Sequence, residues 1–108
     1  MSIITEDGET IIKEGSANHF KGLESVGGKL YLTNLRLVFK SHAINIQGHE
    51  ESYRLDDIIS VLPRNTLGIV PNGMALNLKD GREEKFVVNE RQDWMNRIKS
   101  MKARGVPQ

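Results

Sequence analysis

Three histidines, His19, His42 and His49, are the side chains whose chemistry would say most about function, and their spacing argues against a metal site. They lie 23 and 7 residues apart, with no His-x-His or His-Glu-x-x-His pattern. A metal needs ligands that converge on one coordination sphere. The three are therefore read as surface or turn histidines. Two carboxylate pairs, Glu50-Glu51 and Asp56-Asp57, invite an acid/base reading. Neighbouring residues of a strand point to opposite faces, however, so neither pair shares a site, and both read as solvated loop charge. The serines Ser16, Ser25, Ser41, Ser52, Ser60 and Ser100 have no Gly-x-Ser-x-Gly elbow and no evident base. Gly27-Gly28 precedes a strand rather than opening a helix, which suits a turn and not a phosphate cradle. No catalytic residue, metal ligand or cofactor is implied, and the chain is not read as an enzyme.

The elements that position these residues follow from periodicity. Leu30 and Leu32, then Leu35, Leu37 and Phe39, alternate with other residues on either side of Thr33-Asn34, which predicts a β-hairpin turning at that pair. Ala43–Gln47 and Ser52–Leu55 are short strand candidates around Gly48-His49, and Ile58–Leu62 is another that Pro63 should end. Leu67 and Ile69, then Pro71-Asn72-Gly73, then Met74, Leu76 and Leu78 predict a second hairpin with an Asn-Gly turn. Asp80-Gly81 supplies a third turn, into Lys85–Val88. Upstream, Gly15–Phe20 reads as a first strand, while Thr5–Lys13 suits either a helical turn or an extended lead-in. The period then changes. Asn89 as N-cap with Gln92 three residues on predicts a helix over about 90–103, with Trp94, Ile98 and Met101 on one stripe, and Gly105 and Pro107 stopping it.

The expected fold is mostly β, about seven antiparallel strands with one C-terminal α-helix plugging an open end. At 108 residues the chain is read as one domain. Fifteen Lys and Arg against fourteen Asp and Glu exclude a global field toward nucleic acid or an anionic membrane. The absence of cysteine removes disulfides and thiolate chemistry and suits a reducing compartment. The start, Met1-Ser2-Ile3-Ile4-Thr5-Glu6-Asp7, lacks a basic and an apolar region of signal-peptide type, so a cytoplasmic protein is expected.

Several features, in order, resemble a GRAM domain of the pleckstrin-homology-like superfold. They are Glu14-Gly15-Ser16-Ala17 leading into Phe20, the run from Gly28 to Phe39, Leu55–Val61, Lys85–Val88, and Trp94 with Ile98. The specific part is Gly28-Lys29-Leu30-Tyr31-Leu32-Thr33-Asn34-Leu35-Arg36-Leu37-Val38-Phe39. The resemblance implies a strongly bent seven-stranded sheet capped by the last helix, no catalysis, and a lipid- or protein-binding role inside the cell. Pleckstrin-homology domains that hold phosphoinositides place basic residues around the first strand-to-strand loop. The matching stretch here is Lys21 to Lys29, although Tyr31 stands where another basic residue is usual. Lys21, Lys29, Tyr31 and Arg36 are accordingly the candidate ligand-binding residues, for an anionic lipid head group at a membrane periphery or for a protein segment.

Two surfaces compete with that loop. Arg91, Arg97, Lys102 and Arg104 rim the apolar stripe of the last helix, but the stripe is narrow and suits core plugging with the cations' aliphatic stems over its edge. A nucleic-acid role would need exposed aromatics beside a basic groove, whereas most of Phe20, Tyr31, Phe39, Tyr53, Phe86 and Trp94 fall at core positions, so no nucleic acid is expected. The alternative to a binding module is a homo-oligomeric assembly domain pairing through a sheet edge, for instance Leu67–Val70.

Overall fold

The structure is a computed structural model that describes residues 3–42 and 50–105. The strand candidate Ala43–Gln47, with Gly48 and His49, lies outside them. Seven strands, β1 Ile11–Lys21, β2 Glu24–Thr33, β3 Arg36–Ser41, β4 Glu50–Arg54, β5 Ile58–Thr66, β6 Val70–Leu78 and β7 Glu83–Val88, precede one helix, α1 Arg91–Gly105. All pairings are antiparallel, in the order β4-β3-β2-β1-β7-β6-β5, so the sheet curls into a half-barrel with β4 and β5 at its edges.

The period-two pattern sets two faces. Leu30, Leu32, Leu37 and Phe39 enter the main core with Met74, Leu76, Phe86 and the α1 residues Trp94, Met95, Ile98 and Met101. Tyr31 and Val38 point the other way, into a small cluster with Ile3 and the flanking Ile11. The residues before β1 thus form an extended lead-in that lies over the outer face. The first turn is where the sequence placed it. Thr33 Oγ1 accepts from the Leu35 and Arg36 amides, and Asn34 Oδ1 accepts from the Thr10 amide at 2.8 Å.

Four local expectations fail. Asn72-Gly73 is not a turn, because both residues lie inside β6, and a Cβ on Gly73 would stand 2.9 Å from the Arg64 carbonyl oxygen. The glycine is used for close strand approach, not for a reversal. The reversal falls instead at Leu67-Gly68, both with positive φ (53° and 73°), closed by Ile69 N–H donating to Thr66 O at 3.0 Å. Leu67–Val70 is therefore a hairpin tip and not an unpaired edge. Pro63 does not end its strand. It sits within β5, an edge strand that tolerates its missing N–H. Gly27-Gly28 likewise lies inside β2, where a Cβ on Gly28 would stand 2.4 Å from Lys40 O, so two strands pass too close for any side chain.

The helix plugs the half-barrel as expected, with Met95 buried as a fourth apolar residue. Its start is one residue past the expected bound. Glu90 takes a left-handed φ of 60° and its carbonyl accepts the first helical bond, from Trp94 N–H. Gln92 does not close a capping box with Asn89, since its amide donates forward to Asn96 Oδ1 at 2.9 Å. Polar contacts fasten both ends of the helix. Lys13 Nζ meets Glu90 Oε1 (2.8 Å) and Asp93 Oδ2 (2.5 Å) over the Trp94 ring, Arg91 donates to the Arg64 and Gly73 carbonyls, and Lys102 donates to those of Leu55 and Ile58.

Candidate functional site

Strand register brings together side chains that the sequence reading had dispersed. His19 pairs with Phe86 of β7, and Glu84, two residues earlier, shares the inner face. Glu51 pairs with Phe39 of β3, and Tyr53, two residues later, is on the same face. These inner-face residues meet at one end of the half-barrel. His19 is fully buried, stacked on Phe86 (ring centroids 4.5 Å apart, 16° between planes) and edge-on to Phe39 at 5.3 Å. It is thus a core histidine, not a surface or turn one, because the alternation of β1 turns it inward. Its Nε2 lies 2.7 Å from Glu84 Oε1 and its Nδ1 3.9 Å from Glu51 Oε2. Glu51 is a half-buried strand residue and not loop charge.

Around this cluster opens a cavity of about 650 Å³ lined by Phe20, Lys21, Glu51, Tyr53, Arg82 and Glu84, among others. Lys21 Nζ lies 2.6 Å from Glu51 Oε2, and Tyr53 donates its hydroxyl to Glu51 Oε1 at 2.6 Å. Burial pushes the Glu51 carboxyl up, but the bonds from Lys21 and Tyr53 outweigh it and hold the group below the usual carboxylate range. Burial first, and then the bond to Glu51, raise the Tyr53 phenol. Arg82 reaches Glu84 Oε2 at 3.4 Å and Asp80 Oδ2 at 2.7 Å. Among the described residues, His19, Glu51 and Glu84 are the group whose donor atoms, all within 4.8 Å of one another, could hold a metal.

The four residues singled out by sequence are not gathered in one site. Lys21 lines the cavity. The loop expected between Lys21 and Lys29 is only the turn at Gly22-Leu23, and Lys29 sits within β2, 3.0 Å from Glu14 Oε1 and 5.9 Å from the Tyr31 ring. Tyr31 is buried under Ile3. Arg36 is locked against Glu9, with Nε 2.8 Å from Oε2 and Nη2 3.1 Å from Oε1, and it also donates to Ile4 O and Ser52 Oγ. Its guanidinium, ahead of opposing burial and with help from Thr33, holds the Glu9 carboxyl down at about 2. The sequence reading weighed His19 and Glu51 and set them aside, and it did not consider Glu84, although Ala17 and His19 at i and i+2 on an amphipathic strand carried the signal for the first.

A second surface is apolar. Among the described residues, five of the seven large exposed apolar side chains, Ile59, Leu62, Leu67, Ile69 and Val70, lie along the β5–β6 hairpin, with Leu67 89% and Ile69 80% exposed. Strand β5 is an edge among the described residues, paired only with β6.

No protein-family profile and no curated protein matches the sequence significantly. Comparison of structures gives the fold. The C-terminal domain of an unknown protein from Leishmania infantum superposes with a TM-score of 0.78 and 16% identity, over 90% of this chain and 87% of that one. The Vps36 N-terminal PH domain gives 0.76 and 15%, over 94% and 84%. The Slm1 PH domain, solved in complex with phosphoserine, gives 0.65 and 18%, over 86% and 96%. The chain has a pleckstrin-homology-like fold. No helix among the described residues is long and apolar enough to cross a membrane.

Proposed function

We propose that the chain is a non-catalytic, intracellular binding module of the GRAM type that its sequence resembles, and that it receives an extended protein segment along β5. The observation that carries this reading is the coincidence of an edge strand with the exposed apolar side chains of its hairpin. An edge can offer backbone groups to an incoming strand, and flanking apolar residues give that strand side-chain pockets. Here the offer lies along residues 59–62, since Lys102 and Arg91 already donate to the Ile58 and Arg64 carbonyls and Pro63 has no N–H. The anionic head-group alternative is weakened by charge. Lys21, Lys29 and Arg36 each already face a carboxylate, that of Glu51, Glu14 and Glu9 respectively. An incoming phosphate would have to displace those partners.

The test is a peptide selection on the immobilised domain, followed by amide chemical-shift mapping of the selected peptides. Shifts confined to Ile59–Val70, and binding lost in Leu62→Glu, support the proposal. Vesicles carrying phosphatidylserine and phosphoinositide form a second arm, prompted by the phosphoserine bound to the Slm1 PH domain. Sedimentation of the protein with those vesicles, abolished by Lys21→Glu and indifferent to Leu62→Glu, overturns the proposal in favour of lipid. Concentration-dependent dimerisation abolished by Leu62→Glu overturns it in favour of a second copy of this chain.

A further inference from the structure

We propose that His19, Glu51 and Glu84 form a binding site for one divalent transition-metal ion of the zinc type. The three come from β1, β4 and β7, strands far apart in sequence, and converge where the half-barrel opens. One imidazole nitrogen and two carboxylate oxygens are a donor set suited to zinc and its neighbours, and unsuited to hard cations that take oxygen alone.

Geometry favours binding over a merely structural charge cluster in three respects. The imidazole is pre-oriented, because the Phe86 stack and the Phe39 edge fix its plane, so little rotamer freedom is lost on ligation. The carboxylates are half-buried on the wall of a cavity of about 650 Å³, which supplies an entry path and room for water in the remaining coordination positions. Glu84 Oε1 faces Nε2 and Glu51 Oε2 faces Nδ1, so one ion held by a single ring nitrogen, with metal bonds of about 2.0–2.2 Å that set tetrahedral donor atoms roughly 3.4 Å apart, requires one carboxylate to rotate round the imidazole edge.

The third respect concerns the competing cations. Lys21 on Glu51 and Arg82 on Glu84 have side chains 45% and 57% exposed. Each can swing to solvent and yield its carboxylate to a dication without backbone change. Tyr53 then remains as the hydroxyl that orients Glu51 from outside the coordination sphere. The inference is independent of any segment bound along β5, since no residue is shared between the two surfaces.

The probe is zinc itself, titrated calorimetrically into the metal-free full chain, with a chromogenic chelator as competitor. Because His42 and His49 are additional imidazoles, the double variant His42→Gln/His49→Gln is measured alongside. The expected result is one saturable site, kept in the double variant, weakened about tenfold or more in Glu84→Gln, and tightened in Lys21→Met, which removes the competing ammonium. Nitrogen-15 imidazole spectra should show His19 alone shifting at one equivalent, a readout that does not require the His19 variant to fold. No saturable site up to millimolar zinc overturns the proposal. So does a site lost in the double variant and unmoved by Glu84→Gln.

Discussion

Two polar clusters sit on opposite faces of the same sheet and use the same elementary chemistry, a carboxylate against a cation, to opposite ends. On the outer face, Glu9 accepts from Thr33 Oγ1 (2.7 Å), from Arg36 Nε and Nη2, and from the Glu6 amide (2.9 Å). Arg36 in turn donates to Ile4 O and Ser52 Oγ. Every partner is held by the fold, and the carboxylate is wholly shielded from solvent. On the inner face, Glu51 and Glu84 are held by His19 from below but by Lys21 and Arg82 from a solvent-exposed rim. The first arrangement is closed and fastens the lead-in segment to β3. In the second, the cations facing the carboxylates among the described residues are themselves half exposed. Composition does not separate a structural from a ligand-ready cluster here. What separates them is whether the compensating cation is itself immobilised.

The sharpest way to break this contrast is to remove the cation from each cluster. Arg36→Met leaves the Glu9 carboxylate buried without its guanidinium, and breaking a buried pair in this way costs about 3–5 kcal/mol of stability. Urea denaturation should show that loss as a fall in midpoint at constant slope. A loss below about 1 kcal/mol would mean that the outer cluster is not closed at all.

Acid titration gives the next effect. The Glu9 pKa is depressed from 4.5 to about 2, chiefly by Arg36, so the folded state releases this proton more readily than the unfolded chain. Stability from Glu9 is therefore fully present above about pH 4.5 and is lost as pH falls through about 2, to a total of about 3 kcal/mol at 1.36 kcal/mol per unit. Stability measured against pH should fall over that window in the native chain, and the fall should flatten in Glu9→Gln. Equal falls in both would assign the acid sensitivity to other carboxylates, such as Asp93, which Lys13 and then Arg97 hold down.

The contrast also explains what the sequence could and could not reveal. Alternation in Gly28–Phe39 is a local signal, and it located the first hairpin and the turn at Thr33-Asn34, just as the helical spacing of Trp94, Ile98 and Met101, equally local, located the helix stripe. A mostly β architecture with one closing helix followed from those elements together, and its pleckstrin-homology-like form was what the resemblance implied. The turn chemistry of Asn72-Gly73 misled because glycine serves close strand approach as well as reversal, and only the position of Arg64 across the sheet decides between them. The inner cluster was invisible for a related reason. His19, Glu51 and Glu84 are separated by 32 and 33 residues, and only the β1–β7 and β3–β4 registers bring them to one face. The basic residues that resemblance pointed to were legible as charges, but their neutralising partners Glu51, Glu14 and Glu9 were not.

The smallest expected effect is the most discriminating. Lys21→Met removes the cation of the inner cluster, and an ion pair whose lysine is nearly half exposed contributes only about 0–1 kcal/mol, since solvent screens it and the side chain loses entropy in forming it. Urea denaturation of Lys21→Met should therefore stay within about 1 kcal/mol of the native chain, against the several lost in Arg36→Met. The same substitution removes the ammonium that competes for Glu51 beside Glu84, which makes the cavity a better host for a dication. Added zinc should consequently raise the unfolding midpoint of Lys21→Met more than that of the native chain, as linkage to a ligand bound only by the folded state requires. If Lys21→Met is as costly as Arg36→Met and zinc leaves it unmoved, Lys21 is a fixed structural partner, and the two faces of the sheet differ in exposure but not in kind.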